Sequence, residues 1–170
     1  QQIKGCYGEI HRLLTDYPEL TVFYNGPQSG ASAPDHAHFQ AGLGGVLPLQ
    51  TNWQRLSRNL EEVYAESETD GIWYVNDYPC PAFLIQSRTK EADERLFLKL
   101  YEALSGLQKG IDEPMLNIIS WRNGDDYLTV VFPRKKHRPD CYTSEGESQF
   151  IISPGTLDMA GLIITPREQD

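Results

Sequence analysis

Two short apolar segments joined by a turn constrain the fold of this chain most strongly. Residues 115–120 (MLNIIS) and 127–132 (YLTVVF) are rich in β-branched and aromatic side chains, and Asn-Gly-Asp-Asp lies between them. Such side chains favour strands, and Asn-Gly readily adopts the backbone conformations of a tight hairpin turn. The pattern predicts an antiparallel β-hairpin, so we expect the fold to contain an antiparallel sheet.

A long amphipathic helix is predicted directly before this hairpin, over residues 90–107. Its apolar residues recur with a period of about 3.6, at Ala92, Leu96, Phe97, Leu100, Leu104 and Leu107. Similar patterns predict a helix over residues 3–14 and strands over residues 20–24, 36–42, 62–67, 71–77, 82–87 and 161–166. The order of these elements indicates an α+β fold, with a mostly antiparallel sheet and flanking helices.

Length and charge narrow the functional classes. A chain of 170 residues, of which 39% are hydrophobic, can bury the core of one domain, so we expect a single domain over residues 1–170. A net charge of -9 argues against nucleic acid or a membrane surface as partner, because both favour a basic protein surface. No apolar run in the sequence approaches the roughly 18 residues that a membrane span requires.

The cysteines bear on the cellular compartment. Cys6, Cys80 and Cys141 are odd in number and far apart, and no Cys-x-x-Cys pair occurs. This usage fits a reducing compartment better than a disulfide framework. We therefore expect a cytoplasmic protein.

A weak internal similarity divides the chain into two halves. The order helix, strand, loop, strand describes residues 3–41 and again residues 90–132. We expect two half-repeats, a catalytic one over residues 1–50 and a second one over residues 60–170 that includes the C-terminal segment. Coincidence stays open as the alternative, because helix–hairpin units are common in α+β folds.

The segment NGPQSGASAPDHAHFQAG, residues 25–42, carries the candidate chemistry. In a strand, His36, His38 and Gln40 share one face, while Ala37 and Phe39 face the other way. Three polar side chains on one face line a pocket better than a core, and imidazole can act as nucleophile or proton carrier near neutral pH. Glycines and serines before the strand suit a bound anion. The candidate catalytic residues are His38, His36 and Gln40, and the candidate substrate-binding residues of this segment are Asn25, Gly26, Ser29, Gly30 and Ser32.

Less specific interpretations of the same segment stay open. A single His-x-His is often incidental surface, and a Gly/Ser loop is often only a loop. A metal-binding pair is the main functional rival, although only Asp35 lies nearby in sequence as a further ligand. The basic loop 134–138, with Arg134 and Lys136, could supply positive charge to a phosphorylated ligand or could be a solvated loop.

The sequence NGPQSGASAPDHAHFQ resembles the active-site segment of the histidine-triad superfamily, in the branch where glutamine replaces the third histidine. That branch contains the galactose-1-phosphate uridylyltransferases, the diadenosine tetraphosphate phosphorylases (ATP adenylyltransferases) and the GDP-hexose phosphorylases. Residues 127–139 (YLTVVFPRKKHRP) and 153–170 (SPGTLDMAGLIITPREQD) resemble segments of the phosphorylases. Pro34-Asp35 before His36 makes the spacing one residue longer than the commonest S-x-P-H-x-H form.

The resemblance implies a nucleotidyltransferase or phosphorylase with a histidine-triad-like fold. His38 would attack the α-phosphorus of a nucleotide sugar or dinucleoside polyphosphate, and a phosphate or sugar phosphate would accept the nucleotidyl group. Gln40 would donate a hydrogen bond to a phosphoryl oxygen, His36 would orient the site, and Arg134 and Lys136 would contact phosphates. No cofactor is firmly implied; zinc or another divalent metal stays open, because in some uridylyltransferases the histidine that matches His36 binds zinc. A hydrolase of the same superfamily and a non-catalytic nucleotide-binding protein are the alternatives.

The resemblance also implies strands before the first helix. In the family these strands wall the nucleotide base, and this chain begins at the predicted helix. We therefore expect a first half-repeat that lacks its N-terminal strands, within the later part of a longer protein. The groove left near the first helix would be covered by an N-terminal segment or by a second chain.

Overall fold

The predicted antiparallel sheet is present and has seven strands within residues 2–167, the part of the chain that a computed structural model describes. The strands are β1 Leu20–Asn25, β2 Gln40–Leu43, β3 Leu60–Ala65, β4 Gly71–Val75, β5 Phe83–Ser87, β6 Leu116–Asn123 and β7 Asp126–Pro133. They lie in the order β2-β1-β6-β7-β5-β4-β3, and each neighbouring pair is antiparallel. The mixed α+β class with a mostly antiparallel sheet is thus confirmed.

Helices flank this sheet on both faces. They are α1 Gly8–Asp16, α2 Pro48–Thr51, α3 Trp53–Leu56, α4 Lys90–Leu107 and α5 Thr156–Met159, and shorter 3-10 turns cover Ile3–Gly5, Asp140–Tyr142 and Gly146–Ser148. None of the helices within residues 2–167 combines the length and apolar character needed to cross a membrane.

The predicted hairpin forms the centre of the sheet. In β6–β7, Leu116 lies opposite Pro133 and Asn123 opposite Asp126, which leaves a two-residue turn in which Gly124 has a φ of 63°. Strand β1 pairs with β6 on one side, and β5 pairs with β7 on the other. The two central strands are therefore buried on both faces, as their nearly continuous apolar sequences require.

The longer helices cover one face of the sheet. Helix α4 spans the residues that its periodicity predicts, and the hydroxyl of Thr89 caps it by accepting the N–H of Ala92 at 3.2 Å. Helices α1 and α4 pack over the sheet through one apolar cluster, which includes Ile10, Leu14, Val22, Tyr24, Leu96, Phe97, Leu100, Ile118 and Val131.

A buried polar cluster ties these two helices to the sheet. The carboxylate of Asp93 lies 2.8 Å from Nε2 of His11 and accepts hydrogen bonds from the hydroxyls of Tyr7 at 2.7 Å and Ser87 at 3.1 Å. Burial and the adjacent Asp93 carboxylate raise the pKa of Tyr7 well above its ordinary value, so this phenol remains a donor. Asp93 thus links α1, α4 and β5 at one buried point.

The opposite face of the sheet is covered by short elements. Helices α2, α3 and α5 pack against a second apolar cluster, which includes Leu49, Leu56, Val75, Leu84, Ile119, Trp121, Val130, Phe132 and Ala160. The chain after β7 contributes to this cover through Leu157, Met159 and Ala160. The candidate site lies on this face.

Three predicted elements differ in the structure. The helix predicted over residues 3–14 is divided into Ile3–Gly5 and α1. The strand predicted over residues 36–42 begins only at Gln40, because the ladder between β1 and β2 ends at the pair Phe23–Gln40. The strand predicted over residues 161–166 does not form: Gly161 has a φ of 99°, and the N–H of Ile164 donates to the Asp158 side chain. Residues 168–170, the end of the C-terminal segment named above, lie outside the described residues.

The finer predictions about the fold stay predictions. Hairpin β1–β2 lies beside hairpin β6–β7, with β1 next to β6. A helix precedes each hairpin in the chain, α1 and α4 respectively. This arrangement matches the order of elements from which the two half-repeats were predicted. It establishes neither the repeat nor the histidine-triad-like fold, which the resemblance of the histidine segment implies.

Candidate functional site

A cavity of about 390 Å³ opens on the face covered by the short helices, between the end of β1, the Gly/Ser loop and the chain around α5. One part of its wall is polar and comes mainly from Asn25, Gly30, Ser32, Gln40, Ser153 and Thr156. The remainder is largely apolar or aromatic and includes Phe23, Tyr142, Ile151, Leu157, Ile164 and Pro166. The carboxylate of Asp158 also lines the cavity, where it accepts the backbone N–H groups of Gly155 and Ile164. The cavity therefore offers neutral hydrogen-bonding groups and one carboxylate already bound within the protein, beside an apolar surface.

In the segment His-Ala-His-Phe-Gln, the two apolar side chains and the glutamine lie on opposite faces. Ala37 and Phe39 pack against the cluster under α1 and α4, and the rings of Phe39 and Tyr24 lie 6.0 Å apart. Gln40 lies opposite Phe23 in the ladder and lines the cavity. Ala37 and Phe39 therefore share one face, as predicted, although both precede the first residue of β2.

The two histidine rings lie together before Gln40, with centroids 5.4 Å apart. Nδ1 of His38 is 3.2 Å from the carbonyl oxygen of His36, and because a carbonyl can only accept, Nδ1 carries the proton. Nδ1 of His36 donates to the exposed carboxylate of Asp35 at 3.1 Å. In the neutral form of the ring, Nε2 is therefore the nitrogen that carries the free lone pair. Among the described residues, the cavity lining includes Gln40 but neither histidine.

Asn25, at the end of β1, connects the cavity to the chain around α5. Its Oδ1 accepts the backbone N–H of Thr156 at 2.7 Å and Nδ2 of Asn117 at 2.8 Å. Its Nδ2 lies 3.4 Å from Oε1 of Gln40. The hydroxyl of Thr156 lies 2.7 Å from the carbonyl oxygen of Tyr24 and 2.8 Å from Oδ1 of Asn25. Asn25 is thus held on both sides by hydrogen bonds within the protein.

The Gly/Ser loop packs closely against its neighbours. Gly26 donates its N–H to the carbonyl of Leu116 at 3.1 Å, and a Cβ at Gly26 would lie 2.8 Å from that oxygen. Gly30 has a φ of 84°, and a Cβ there would lie 2.5 Å from the carbonyl oxygen of Pro154. Both positions therefore require glycine, one for space and the other for space and backbone conformation.

Ser29 and Gly30 differ in how their polar groups are used. Ser29 is fully buried, and its hydroxyl has no hydrogen-bond partner among the described residues. The N–H of Gly30 donates to Nδ1 of His137 at 3.4 Å. Ser32 is exposed and lines the cavity.

The cavity brings together only some of the predicted site residues. Its lining includes the predicted substrate-binding residues Asn25, Gly30 and Ser32 and the catalytic candidate Gln40. It does not include the predicted substrate-binding residues Gly26 and Ser29.

The two predicted cations do not line the cavity. Nη1 of Arg134 donates to Oδ1 of Asn117 at 2.7 Å and to the carbonyl of Pro154 at 2.8 Å, and Nη2 lies 3.3 Å from the carbonyl of Lys136. Burial lowers the pKa of Arg134. The ammonium of Lys136 binds both carboxylate oxygens of Asp140, at 2.7 and 2.9 Å. In this structure both cations bind acceptors within the protein.

Arg138 lies nearer the cavity than either predicted cation. Its Nε donates to the hydroxyl of Ser153 at 2.9 Å, and its guanidinium lies 4.3 Å from the centre of the Tyr142 ring. Ser153 and Tyr142 both line the cavity. Arg138 is exposed, and unlike Arg134 and Lys136 it directly contacts residues that line the cavity.

Sequence reasoning missed Asn117 and Thr156. Asn117 is fully buried near the start of β6, where its amide contacts Asn25, Arg134 and the carbonyl of Ser29. A lone amide within the apolar sequence MLNIIS is a usable signal, because a buried amide requires hydrogen-bond partners. The sequence around Thr156 gives no comparable indication, because its hydrogen-bond partners, Tyr24 and Asn25, lie more than 100 residues earlier in the chain.

A larger recess, of about 510 Å³, lies elsewhere, between the start of α1 and α4. Its lining includes Lys4, Glu9, Lys90 and Glu94, and Lys90 pairs with Glu94 at 3.6 Å. None of the predicted site residues lines it. The cavity beside Gln40 is therefore the better candidate, because it joins residues whose chemistry the sequence singles out.

The histidine pair does not form a metal-ligand set. Within residues 2–167, no three histidine, cysteine, aspartate or glutamate side chains gather as they would around a metal ion. The open alternative of zinc or another divalent metal at His36 and His38 therefore finds no third protein ligand in the described part of the chain.

Fold and site together define an α+β protein in which an HxHxQ segment leads into a strand at one edge of a seven-stranded antiparallel sheet. The sequence profile described as "Domain of unknown function (DUF4922)" matches residues 1–43, which include this segment and end with β2. Comparison with curated protein sequences gives no match.

One solved structure is similar in fold. It is a DUF4931 family protein from Bacillus cereus ATCC 10987, with a TM-score of 0.56 and 16% sequence identity over 86% of this chain and 73% of that chain. At this identity the similarity concerns the fold alone. Neither comparison names a reaction.

Proposed function

We propose that this protein is a nucleotidyltransferase or phosphorylase of the histidine-triad type, which acts through a nucleotidyl group bound covalently to His38. One observation carries the proposal: Nδ1 of His38 donates to the His36 carbonyl, two residues before a glutamine that lines a cavity. That hydrogen bond keeps the lone pair of neutral imidazole on Nε2, as a nucleophile requires. The resemblance of the HxHxQ segment supplies the reaction class.

The reaction has two steps. Nε2 of His38 forms a bond to the α-phosphorus of a nucleotide sugar or dinucleoside polyphosphate, while the bond to the leaving phosphate oxygen breaks and that oxygen keeps the electron pair. An oxygen of the acceptor, a phosphate or a sugar phosphate, then attacks the same phosphorus. The phosphorus–nitrogen bond breaks, and the lone pair returns to Nε2.

Gln40 favours transfer over hydrolysis in this scheme. Its side-chain amide is neutral at every relevant pH and can hold a phosphoryl oxygen as charge builds up there. It cannot act as general acid or base. An acceptor that brings its own negative charge, such as phosphate, does not need a proton removed by the protein, whereas water does.

The hydroxyl groups of the cavity wall and the nearby arginine support a phosphorylated ligand, because the Asp158 carboxylate that also lines the cavity is already bound by two backbone N–H groups. Ser32, Ser153 and Tyr142 offer hydroxyl groups, and the guanidinium of Arg138 lies beside the last two. His36, whose ring lies next to that of His38, would orient the nucleophile through its backbone carbonyl.

Trapping the covalent intermediate tests the proposal. The protein is incubated with GDP-hexose, UDP-hexose or diadenosine tetraphosphate in the absence of an acceptor, quenched at alkaline pH and mapped by mass spectrometry. We expect a nucleotidyl adduct on His38 and none in His38→Ala, with His137→Ala as the matched control that retains it. An adduct on His36 or His137, with His38 unmodified, would contradict the assignment.

Acceptor dependence tests the reaction class separately. Product formation is measured with and without phosphate or a hexose 1-phosphate. Acceleration by either acceptor supports transferase function. Turnover in plain buffer that no acceptor accelerates would favour a hydrolase, and binding of nucleotide without turnover would favour a non-catalytic protein.

A further inference from the structure

We propose that Arg134, Asn117 and Thr156 are positioning residues that turn the side-chain amide of Gln40 so that its NH2 group faces the cavity. This inference rests on the proposed function for its catalytic consequence, but the orientation itself concerns the free protein. The three residues lie after β7, in β6 and at the start of α5, so three distant parts of the chain would set one side chain of β2.

The first step is the orientation of Asn117. Nη1 of Arg134 lies 2.7 Å from one end of the Asn117 amide, and a guanidinium can only donate. That end must therefore be the oxygen. The NH2 group of Asn117 then donates to the carbonyl of Ser29 at 2.7 Å and to Asn25 at 2.8 Å. Every hydrogen-bonding atom of this buried amide is thus used in one orientation only.

The second step is the orientation of Asn25. Two groups that donate, the backbone N–H of Thr156 at 2.7 Å and the NH2 of Asn117 at 2.8 Å, meet the same atom of Asn25. That atom must be Oδ1, because turning the amide would place a donor against two donors, one of them a backbone group that cannot rotate away. Nδ2 of Asn25 consequently points towards Gln40.

The third step is the orientation of Gln40. Nδ2 of Asn25 lies 3.4 Å from the amide of Gln40 and can only donate, so it selects Oε1 of Gln40 as its partner. Nε2 of Gln40 is left for the cavity. This last hydrogen bond is the longest of the chain, and Gln40 is exposed, so the orientation depends on how firmly Asn25 is held.

The orientation matters because the two ends of an amide have opposite polarity. With Nε2 towards the cavity, Gln40 donates to a phosphoryl oxygen. With Oε1 towards the cavity, it places a partial negative charge against that oxygen and opposes the reaction. Arg134 would thus serve an anionic substrate through hydrogen bonds within the protein rather than by direct contact.

Asn25→Asp is the sharpest variant. The carboxylate has the shape of the amide and can still accept from Thr156 and Asn117, but it offers no donor to Gln40. We expect Gln40 to turn and donate its NH2 to the new carboxylate. In ¹⁵N-labelled protein without substrate, exchange of the Gln40 side-chain protons with water should slow by about fivefold or more, because a hydrogen bond that contributes about 1 kcal/mol must open first. The Gln40 signal is assigned by its loss in Gln40→Glu.

Arg134→Gln and Asn117→Leu test the upstream bonds, with Arg122→Gln as the matched control. Arg122 contacts the Gly124 carbonyl and the Tyr127 ring, away from the cavity. We expect both upstream variants to increase the fast motion of Gln40 Nε2 in ¹⁵N relaxation, and the control to leave it unchanged. If either buried substitution prevents folding, the isosteric Asn25→Asp decides the question.

Turnover supplies an independent measurement. Asn25→Asp should lower kcat by roughly 100-fold, as loss of one transition-state donor does, with a smaller change in KM. Adding Gln40→Ala to Asn25→Asp should lower kcat little further, because both remove the same donor. Wild-type exchange and relaxation of the Gln40 amide in Asn25→Asp would overturn the positioning proposal. An absence of turnover and adduct in the wild type would instead overturn the proposed function, and the exchange experiment would still decide the orientation.

Discussion

The backbone N–H of Thr156 lies 2.7 Å from Oδ1 of Asn25, although 131 residues separate them in the chain. This contact places the start of α5 against the end of β1 and closes one side of the cavity. The cavity is therefore a tertiary feature, formed by segments from the first and last parts of the described chain.

Removing the candidate nucleophile and the candidate donor should affect turnover more than stability. His38 is half-buried and Gln40 is exposed, so neither side chain contributes much packing. We expect His38→Ala to abolish transfer, and Gln40→Ala to slow it by roughly 100- to 1,000-fold, by analogy with loss of one oxyanion donor. Steady-state kinetics and thermal unfolding of the same samples separate the two effects. An unchanged rate in Gln40→Ala would mean that this side chain only lines the cavity.

Gly30→Ala should destabilise the loop against the chain before α5. The new Cβ would lie 2.5 Å from the Pro154 carbonyl oxygen at a backbone φ of 84°. Gly45→Ala is the control, because Gly45 has a similar φ of 78° with no atom within 4 Å of a Cβ. We expect a cost of about 1–2 kcal/mol in the control, from conformation alone, and a larger cost in Gly30→Ala, measured by urea unfolding. Equal costs would show that the loop moves away without penalty.

Thr156→Val isolates the hydroxyl of a fully buried residue. The substitution keeps the shape and the backbone N–H, but it removes a hydroxyl that lies 2.7 Å from the carbonyl oxygen of Tyr24 and 2.8 Å from Oδ1 of Asn25. Its single proton goes to the nearer carbonyl, which is left without this donor. We expect a loss of about 1–3 kcal/mol in the free energy of unfolding, while the Gln40 amide keeps its wild-type proton exchange. Changed exchange would mean that the hydroxyl, and not the backbone N–H, holds Asn25.

Glu113 should make stability fall as the pH rises. Its buried carboxylate accepts the N–H of Ile3 and the hydroxyl of Tyr24, both at 2.7 Å, yet burial dominates and raises the pKa of Glu113. A raised pKa in the folded state means that folding holds the proton more tightly than the unfolded chain does. The resulting stabilisation is complete below the unfolded pKa and is lost as the pH rises through the folded pKa.

The measurement for Glu113 is a comparison with Glu113→Gln, which does not titrate. The free energy of unfolding of the wild type, relative to this variant, should decrease between about pH 4 and neutral pH. Glu145→Gln, at an exposed residue, serves as the control. A difference between wild type and Glu113→Gln that stays constant with pH would contradict the assignment.

The local sequence pattern was sufficient to predict those elements whose buried face is visible in their own sequence. Helix α4 and hairpin β6–β7 carry apolar residues on the faces that become buried, so their periodicity predicts them. The start of β2 was not predictable in this way. The alternation of residues 36–42 continues upstream of Gln40, but a strand also needs a partner, and the ladder with β1 ends at Phe23.

The hydrogen-bond partners of charged side chains could not be predicted from the local sequence pattern either. The sequence RKKHR suggests solvated or ligand-binding cations, whereas Arg134 is turned inward by the Asn117 amide and the carbonyl of Pro154. Both acceptors come from other parts of the chain. The Gly/Ser loop was recognisable, but only the packed structure separates Gly30, which faces the cavity, from the buried Ser29.

The strand order β2-β1-β6 has a consequence during synthesis. Strand β1 is made before its second neighbour, β6, which begins only at Leu116. At ordinary rates of translation, roughly 5–20 residues per second, the ribosome needs roughly 5 to 20 s to make the intervening chain. For that time the nascent β1–β2 hairpin, with the histidine segment between its strands, has an open edge that a chaperone or another nascent chain can bind.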